Sequence, residues 1–244
     1  VSAVSRLMEP GDSENEEAAR LLQPLEAEAA VWFDTPVGHL DAPLFPSDHL
    51  DMAANGSLIA NFFNQVQLEA SGAELSVTSL GNIVKGLNRD VTIRDIVSTY
   101  VFPNTLKTVR VNRGQLKLAL ERSAAYFALD EQGALRVSED FLVPIEQHFN
   151  YDYLSGAEVT VDVRRPVGDR VLSIRYGGEE LSEERQLTLC LNNYRATGTG
   201  GYDVYRTCEL VREQPTEIAE LIIAYVDRHR EIAVDKTKWL HVIY

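Results

Sequence analysis

The chain has 244 residues, 45% hydrophobic and 25% charged, the proportions of an ordinary globular protein. Its net charge of −14 argues against an electrostatic nucleic-acid binder, which needs a basic face to displace counterions. Apolar runs such as 219–226 are interrupted by charge well before the roughly 18 residues of a membrane span.

Residues 1–12 are polar and patternless, and are expected to form a disordered start. Ser13 and Glu16 have capping-box spacing, which predicts a helix over 14–33 with Ala18, Leu21, Leu22, Leu25, Ala29 and Trp32 on one face. Residues 35–50, carrying Pro36, Pro43 and Pro46, read as an extended linker. They suggest a division into 1–50, a connector, and 51–244, a compact domain.

A second helix fits 55–70, with Gly72 placed to end it. Leu75 to Thr78 reads as a strand. Thr92 is placed to cap a short helix to 99, 106–111 alternates like a strand, and Asn112 is placed to cap a helix over 113–129. From Glu158 the apolar period becomes two, which predicts strands at 159–163, 171–176 and 186–192. Pro215 is expected to open a helix to about 230, and 239–244 to close the chain as a strand. Early alternation followed by antiparallel pairs implies an α+β fold, a mixed sheet flanked by helices.

Catalytic motifs are scarce. The five histidines form neither H-x-H nor H-E-x-x-H. Asp227-Arg228-His229 matches D-x-H, but on a helix positions i and i+2 face different ways, whereas metal ligands must converge. The His39–Asp41 and Asp48–Asp51 stretches read better as interface residues than as ligands. There is no G-x-S-x-G and no phosphate-binding P-loop. Two cysteines, Cys190 and Cys208, are too few for a disulfide framework. No metal or other cofactor is therefore expected in this chain. No signal peptide is visible, and a chain opening on Val1 is expected to be a piece of a longer product.

Three segments are more informative. They are Tyr100-Val101-Phe102-Pro103-Asn104-Thr105-Leu106, Phe149-Asn150-Tyr151-Asp152-Tyr153-Leu154-Ser155-Gly156, and Leu191-Asn192-Asn193-Tyr194-Arg195-Ala196-Thr197-Gly198-Thr199-Gly200-Gly201-Tyr202. Their order and spacing resemble the C-terminal domain of the 5′-nucleotidase family. The Pro-Asn-Thr and Asn-Asn-Tyr-Arg-Ala steps look most like its 2′,3′-cyclic-nucleotide 2′-phosphodiesterase/3′-nucleotidase branch. The resemblance runs from about Glu16 to the end, and the leading helix looks like the family's interdomain connector.

That resemblance implies a role as the nucleoside- or nucleotide-binding half of a two-domain phosphohydrolase. The partner would be an N-terminal metallophosphatase domain of the same polypeptide, holding two divalent metals such as Zn or Mn. Its motifs are not identifiable here, so the isolated chain is expected to be inactive. The family is typically exported, to the periplasm, cell surface or medium.

Phe102 and Tyr194 match the family's two stacking positions, and a pair of aromatic faces is the simplest recogniser of a flat base. Asn104 and Asn193 are placed either to meet a base edge or to hold turns. Arg195 reads as a phosphate contact or a local ion pair, with the structural role favoured. Gly198, Gly200 and Gly201 permit close backbone approach. Tyr151, Asp152 and Gly156 match a family loop near the base.

Two positions depart from the family. The 5′-nucleotidase branch carries an arginine where this chain has Val84, followed by Lys85. Many relatives place Asp where this chain has Gly200. The first departure favours the cyclic/3′ branch. The alternatives are a 5′-nucleotidase or UDP-sugar hydrolase of the same family, and a non-catalytic interaction module.

Overall fold

The computed structural model describes residues 3–8, 11 and 14–244. The chain divides into two units, Val1–Thr35 and Pro36–Tyr244. The first holds α1 (Glu16–Asp34), whose N-cap is Asn15, with its side chain accepting from the Ala18 amide. Ser13, the cap expected from the sequence, lies outside the described residues.

In the second unit, β1 (Pro36–Leu40) and α2 (His49–Asn55) occupy the stretch that reads as a linker. That expectation is corrected. β1 pairs antiparallel with β3 (Asp90–Thr92) and parallel with β13 (Glu231–Ile232). Leu40 and Leu44 are buried in the core, so the prolines punctuate structure that is already folded.

Between β1 and β3 lie α3 (Leu58–Ser71) and β2 (Leu75–Thr78). Gly72 ends α3 in the left-handed conformation, as its position suggests. After β3 come α4 (Ile93–Thr99), β4 (Thr105–Asn112) and α5 (Arg113–Ala124). Thr92 and Asn112 each close a capping box.

The helix expected to reach 129 stops at 124. Phe127–Leu129 forms β5 and pairs with β6 (Leu135–Val137), because Tyr126 and Phe127 are drawn into an aromatic cluster with Phe141 and Tyr151. The chain continues through β7 (Tyr153–Ser155), β8 (Glu158–Asp162), β9 (Val171–Tyr176), β10 (Glu179–Glu180), β11 (Gln186–Asn192) and α6 (Asn193–Ala196). Then follow β12 (Glu209–Glu217), α7 (Ile218–His229), β13 and β14 (Leu240–Ile243).

Pro215 lies inside β12 and does not open the helix. β12 is an edge strand with a register shift between Gln214 and Glu217, and an edge with a bulge tolerates a missing N–H donor.

The central sheet runs β12-β4-β11-β2-β7, with β11 and β2 parallel and the other pairs antiparallel. One face packs on α3 and α7 through Phe62, Phe63, Ile222 and Val226. The other packs on α5 and on β8 and β9 of a second sheet, through Leu116, Val159 and Ile174. In β11, Cys190 joins the first cluster while Leu189 and Leu191 join the second, the alternation of a strand buried on both faces. The fold is α+β.

Candidate functional site

The topology gathers several loop segments at one end of the central sheet. The parallel strands β2 and β11 point their C-terminal ends there, delivering Ser79 and Asn192. β4 is antiparallel to β11, with Asn192 opposite Leu106, so the residues entering β4 arrive at the same end. These are Phe102 and Asn104. β7 is antiparallel to β2 and brings in Phe149 ahead of its own start.

Ser79, Phe102, Asn104, Phe149, Asn192 and Tyr194 line an open cleft of about 180 Å³. Its three aromatic and three uncharged polar side chains suit a flat heterocycle. The sequence reading placed Phe102, Asn104 and Tyr194 here. It missed Ser79, Phe149 and Asn192, although Phe149 and Asn192 lie inside the informative segments.

The aromatic walls are braced. Phe102 meets the edge of Tyr100 at 6.2 Å between centroids, and Tyr100 meets Phe63 of the core at 5.3 Å. Tyr194 is 41% exposed, on α6, and the Arg195 guanidinium lies 5.8 Å from its ring centroid.

The other expected site residues do not line this cleft and form a frame behind it. Asn193 accepts the Thr105 amide at 3.1 Å, tying α6 to the start of β4 and so one clamp loop to the other. Arg195 is 1% exposed. It bonds Asp152 Oδ1 through Nε at 3.0 Å and Nη2 at 2.9 Å, and also donates to the carbonyls of Thr199 and Phe149. Its ring neighbour Tyr202 lies 4.3 Å away. With its donors engaged, Arg195 has no hand free for phosphate.

Burial pushes the Asp152 carboxyl above its ordinary value, and Arg195 opposes that shift. Burial lowers the Arg195 guanidinium, but Asp152 together with Tyr202 and Tyr205 raises it, and the net direction is up. Tyr151 is buried, donating its hydroxyl to the Ala53 carbonyl.

Gly156 has φ +101, and a Cβ there would meet the Glu74 carbonyl. At Gly200, with φ +79, a Cβ would overlap Arg195 Nη1 and Asn150 Oδ1. The Arg195 frame therefore occupies the space that an aspartate would need at that position. Gly198 is buried against Arg206.

Val84 packs on the core, while Lys85 lines a shallow depression with Gly81, Asn82 and Ser98 that shares Phe102 and Phe149 with the cleft. Of the candidate metal stretches, Asp227 pairs with Arg230 and His229 with Glu69. His39 contacts Asp90, and Asp41 contacts Lys236. Among the described residues no group of three or more His, Cys, Asp or Glu is arranged to hold a metal ion.

The sequence profile described as 5′-nucleotidase, C-terminal domain, matches residues 36–207. The chain belongs to that family. Among its curated relatives, the 2′,3′-cyclic-nucleotide 2′-phosphodiesterase/3′-nucleotidase of Haemophilus influenzae is 26% identical over 178 residues. That match takes in 65% of this chain and 25% of the relative. The trifunctional nucleotide phosphoesterase YfkN of Bacillus subtilis is 24% identical over 160 residues, or 59% of this chain and 10% of the relative.

A Staphylococcus aureus structure described as a 5′-nucleotidase in complex with alpha-ketoglutarate superposes with a TM-score of 0.87 at 32% identity. It covers 98% of this chain and 46% of its own. The NAD nucleotidase of Haemophilus influenzae shares the fold, with a TM-score of 0.70 at 17% identity, covering 95% of this chain and 42% of its own. This chain thus spans less than half the length of these relatives. The family match extends from β1 through the whole cleft to the turn after α6, so every cleft-lining side chain lies within it.

Proposed function

We propose that this chain binds the nucleoside part of a nucleotide for a metal-dependent phosphohydrolase of nucleotide catabolism, and that its substrates are 2′,3′-cyclic and 3′-nucleotides. The observation that carries the reading is the convergence of Phe102 and Tyr194, far apart in sequence, on the walls of one cleft with uncharged polar groups between them. Stacking between two rings contributes roughly 1–3 kcal/mol per base and tolerates different bases. The family membership and the cyclic-nucleotide relatives support the branch.

The chemistry itself belongs to a metallophosphatase domain on the same polypeptide. Two divalent metals there would activate water and stabilise the phosphoryl group. This chain's contribution is to hold the base so that the phosphate reaches that centre, and orientation of this kind lowers a barrier by several kcal/mol. Export to the periplasm or cell surface belongs to the same proposal.

Calorimetric titration of the chain with adenosine and 3′-AMP tests the binding role. Saturable binding is expected, and its absence would remove the proposal. The branch is tested separately by rates on 3′-AMP, 5′-AMP and 2′,3′-cyclic AMP with the metallophosphatase domain attached. A strong preference for 5′-AMP would select the 5′-nucleotidase reading, which the 32% identity to the Staphylococcus aureus structure favours.

A further inference from the structure

The cleft needs a group that tells one flat ring from another, because stacking alone does not. Among its polar side chains, Asn192 is the most tightly held. It is 5% exposed, ends β11, and caps α6 with its Oδ1 accepting from the Arg195 amide at 2.6 Å. That bond settles which end of the side-chain amide is which: oxygen towards the helix, nitrogen away from it. The Nδ2 donors have no partner among the described residues, and the side chain lines the cleft.

Asn192 Nδ2 is not sealed from the cleft, so a ligand bound there can accept from it. Its position is fixed twice over, by the β11–β4 ladder at Asn192–Leu106 and by the cap. Asn104 and Ser79 also line the cleft, and the Asn104 side chain is shared with the buried Tyr100 hydroxyl.

We infer that Asn192 is the base-reading residue of this cleft, donating from Nδ2 to an acceptor nitrogen or carbonyl on the ring edge between Phe102 and Tyr194. The inference rests on the nucleoside reading above. It assigns the site a chemical preference: flat heterocycles with an in-plane acceptor on the edge facing the β11 end. Rings that stack equally well but carry only donors are disfavoured, since they leave Nδ2 unpaired.

The experiment compares adenosine with the riboside of indole, a bicycle of similar area and the same sugar but with no ring acceptor. The wild-type chain is titrated with both, as are Asn192→Asp and Asn192→Ser, which keep a capping oxygen. Phe102→Ala is the stacking control.

Wild type is expected to prefer adenosine by about tenfold. Asn192→Ser and Asn192→Asp should weaken adenosine by about that factor and leave indole riboside unchanged, while Phe102→Ala weakens both. An Asn192 variant that weakens both ligands equally, or neither, overturns the assignment while the clamp stands. Wild type binding neither riboside overturns the nucleoside reading itself.

If a variant fails to fold, the wild-type ¹⁵N spectrum decides. The Asn192 side-chain amide must shift on addition of adenosine and stay in place with indole riboside. A signal that ignores adenosine, or answers both ligands alike, overturns the assignment.

Discussion

Arg195 and Asp152 form an ion pair at 2.9 Å whose side chains are 1% and 5% exposed. The arginine lies next to the exposed clamp residue Tyr194, and the aspartate lies on the loop that carries Phe149. The pair therefore joins two walls of the cleft from behind, and the same guanidinium reaches the Thr199 and Phe149 carbonyls.

Arg195→Ala should cost about 3–5 kcal/mol in urea unfolding, because it leaves a buried carboxylate without its partner. Arg195→Lys should recover little of this. A single ammonium cannot span Asp152 and two carbonyls at once. A wild-type midpoint in either variant would show that the pair is not a strut.

Phe102→Ala and Tyr194→Ala should each weaken adenosine binding by about 5- to 150-fold, the equivalent of one lost stacking face. Tyr194 is 41% exposed, so its variant should melt within a degree or two of wild type while losing affinity. Calorimetry and thermal melting on the same samples separate the two effects. Unchanged affinity in both variants would remove the clamp.

Gly200→Ala should be strongly destabilising, since the added methyl collides with Arg195 and Asn150 at a positive φ. Gly56→Ala is the matched control. It has φ +99 but open space around the Cβ, so it reports conformational strain alone. The difference between the two melting temperatures measures the collision. Equal losses would mean that the Arg195 frame yields easily.

His49 and His148 stack with centroids 4.1 Å apart and ring planes within 10°. His148 contacts the Tyr126 hydroxyl through Nδ1, and His49 contacts the Asn82 carbonyl through Nε2. Burial, then His49, hold His148 below its ordinary value, with Glu146 and Asp48 opposing. A histidine lowered in the folded state takes up protons more readily when unfolded. Its contribution is therefore complete above the unfolded value of about 6.5 and declines as pH falls through the lowered one. Melting from pH 8 to pH 5 should show a steeper loss for wild type than for His148→Gln. Parallel curves would exclude the coupling.

Much of this was legible in the sequence. The strand at 75–78, the caps at Thr92 and Asn112, and the termination at Gly72 follow from local chemistry that tertiary packing did not override. Phe102, Asn104 and Tyr194 were readable because the segments that carry them resemble those of the 5′-nucleotidase family. Asn192 and Ser79 were not, since each ends or follows a buried strand and looks like an ordinary cap or turn residue until the strands are set side by side. Phe127 departs from its helical pattern because long-range aromatic burial outweighed a weak propensity.

Composition, period and turn chemistry by themselves determined the class of fold and the rough order of its elements, and the resemblance to the 5′-nucleotidase family picked out two aromatic faces suited to a base. Only the tertiary structure decided which neighbours of those rings look into the cleft. Asn192 and Arg195 are three residues apart, yet one lines the cleft while the other is buried against Asp152. That difference is set by the pairing of β11 with β2 and β4 and by the approach of the 149–152 loop, contacts between segments distant in the chain that no local pattern encodes.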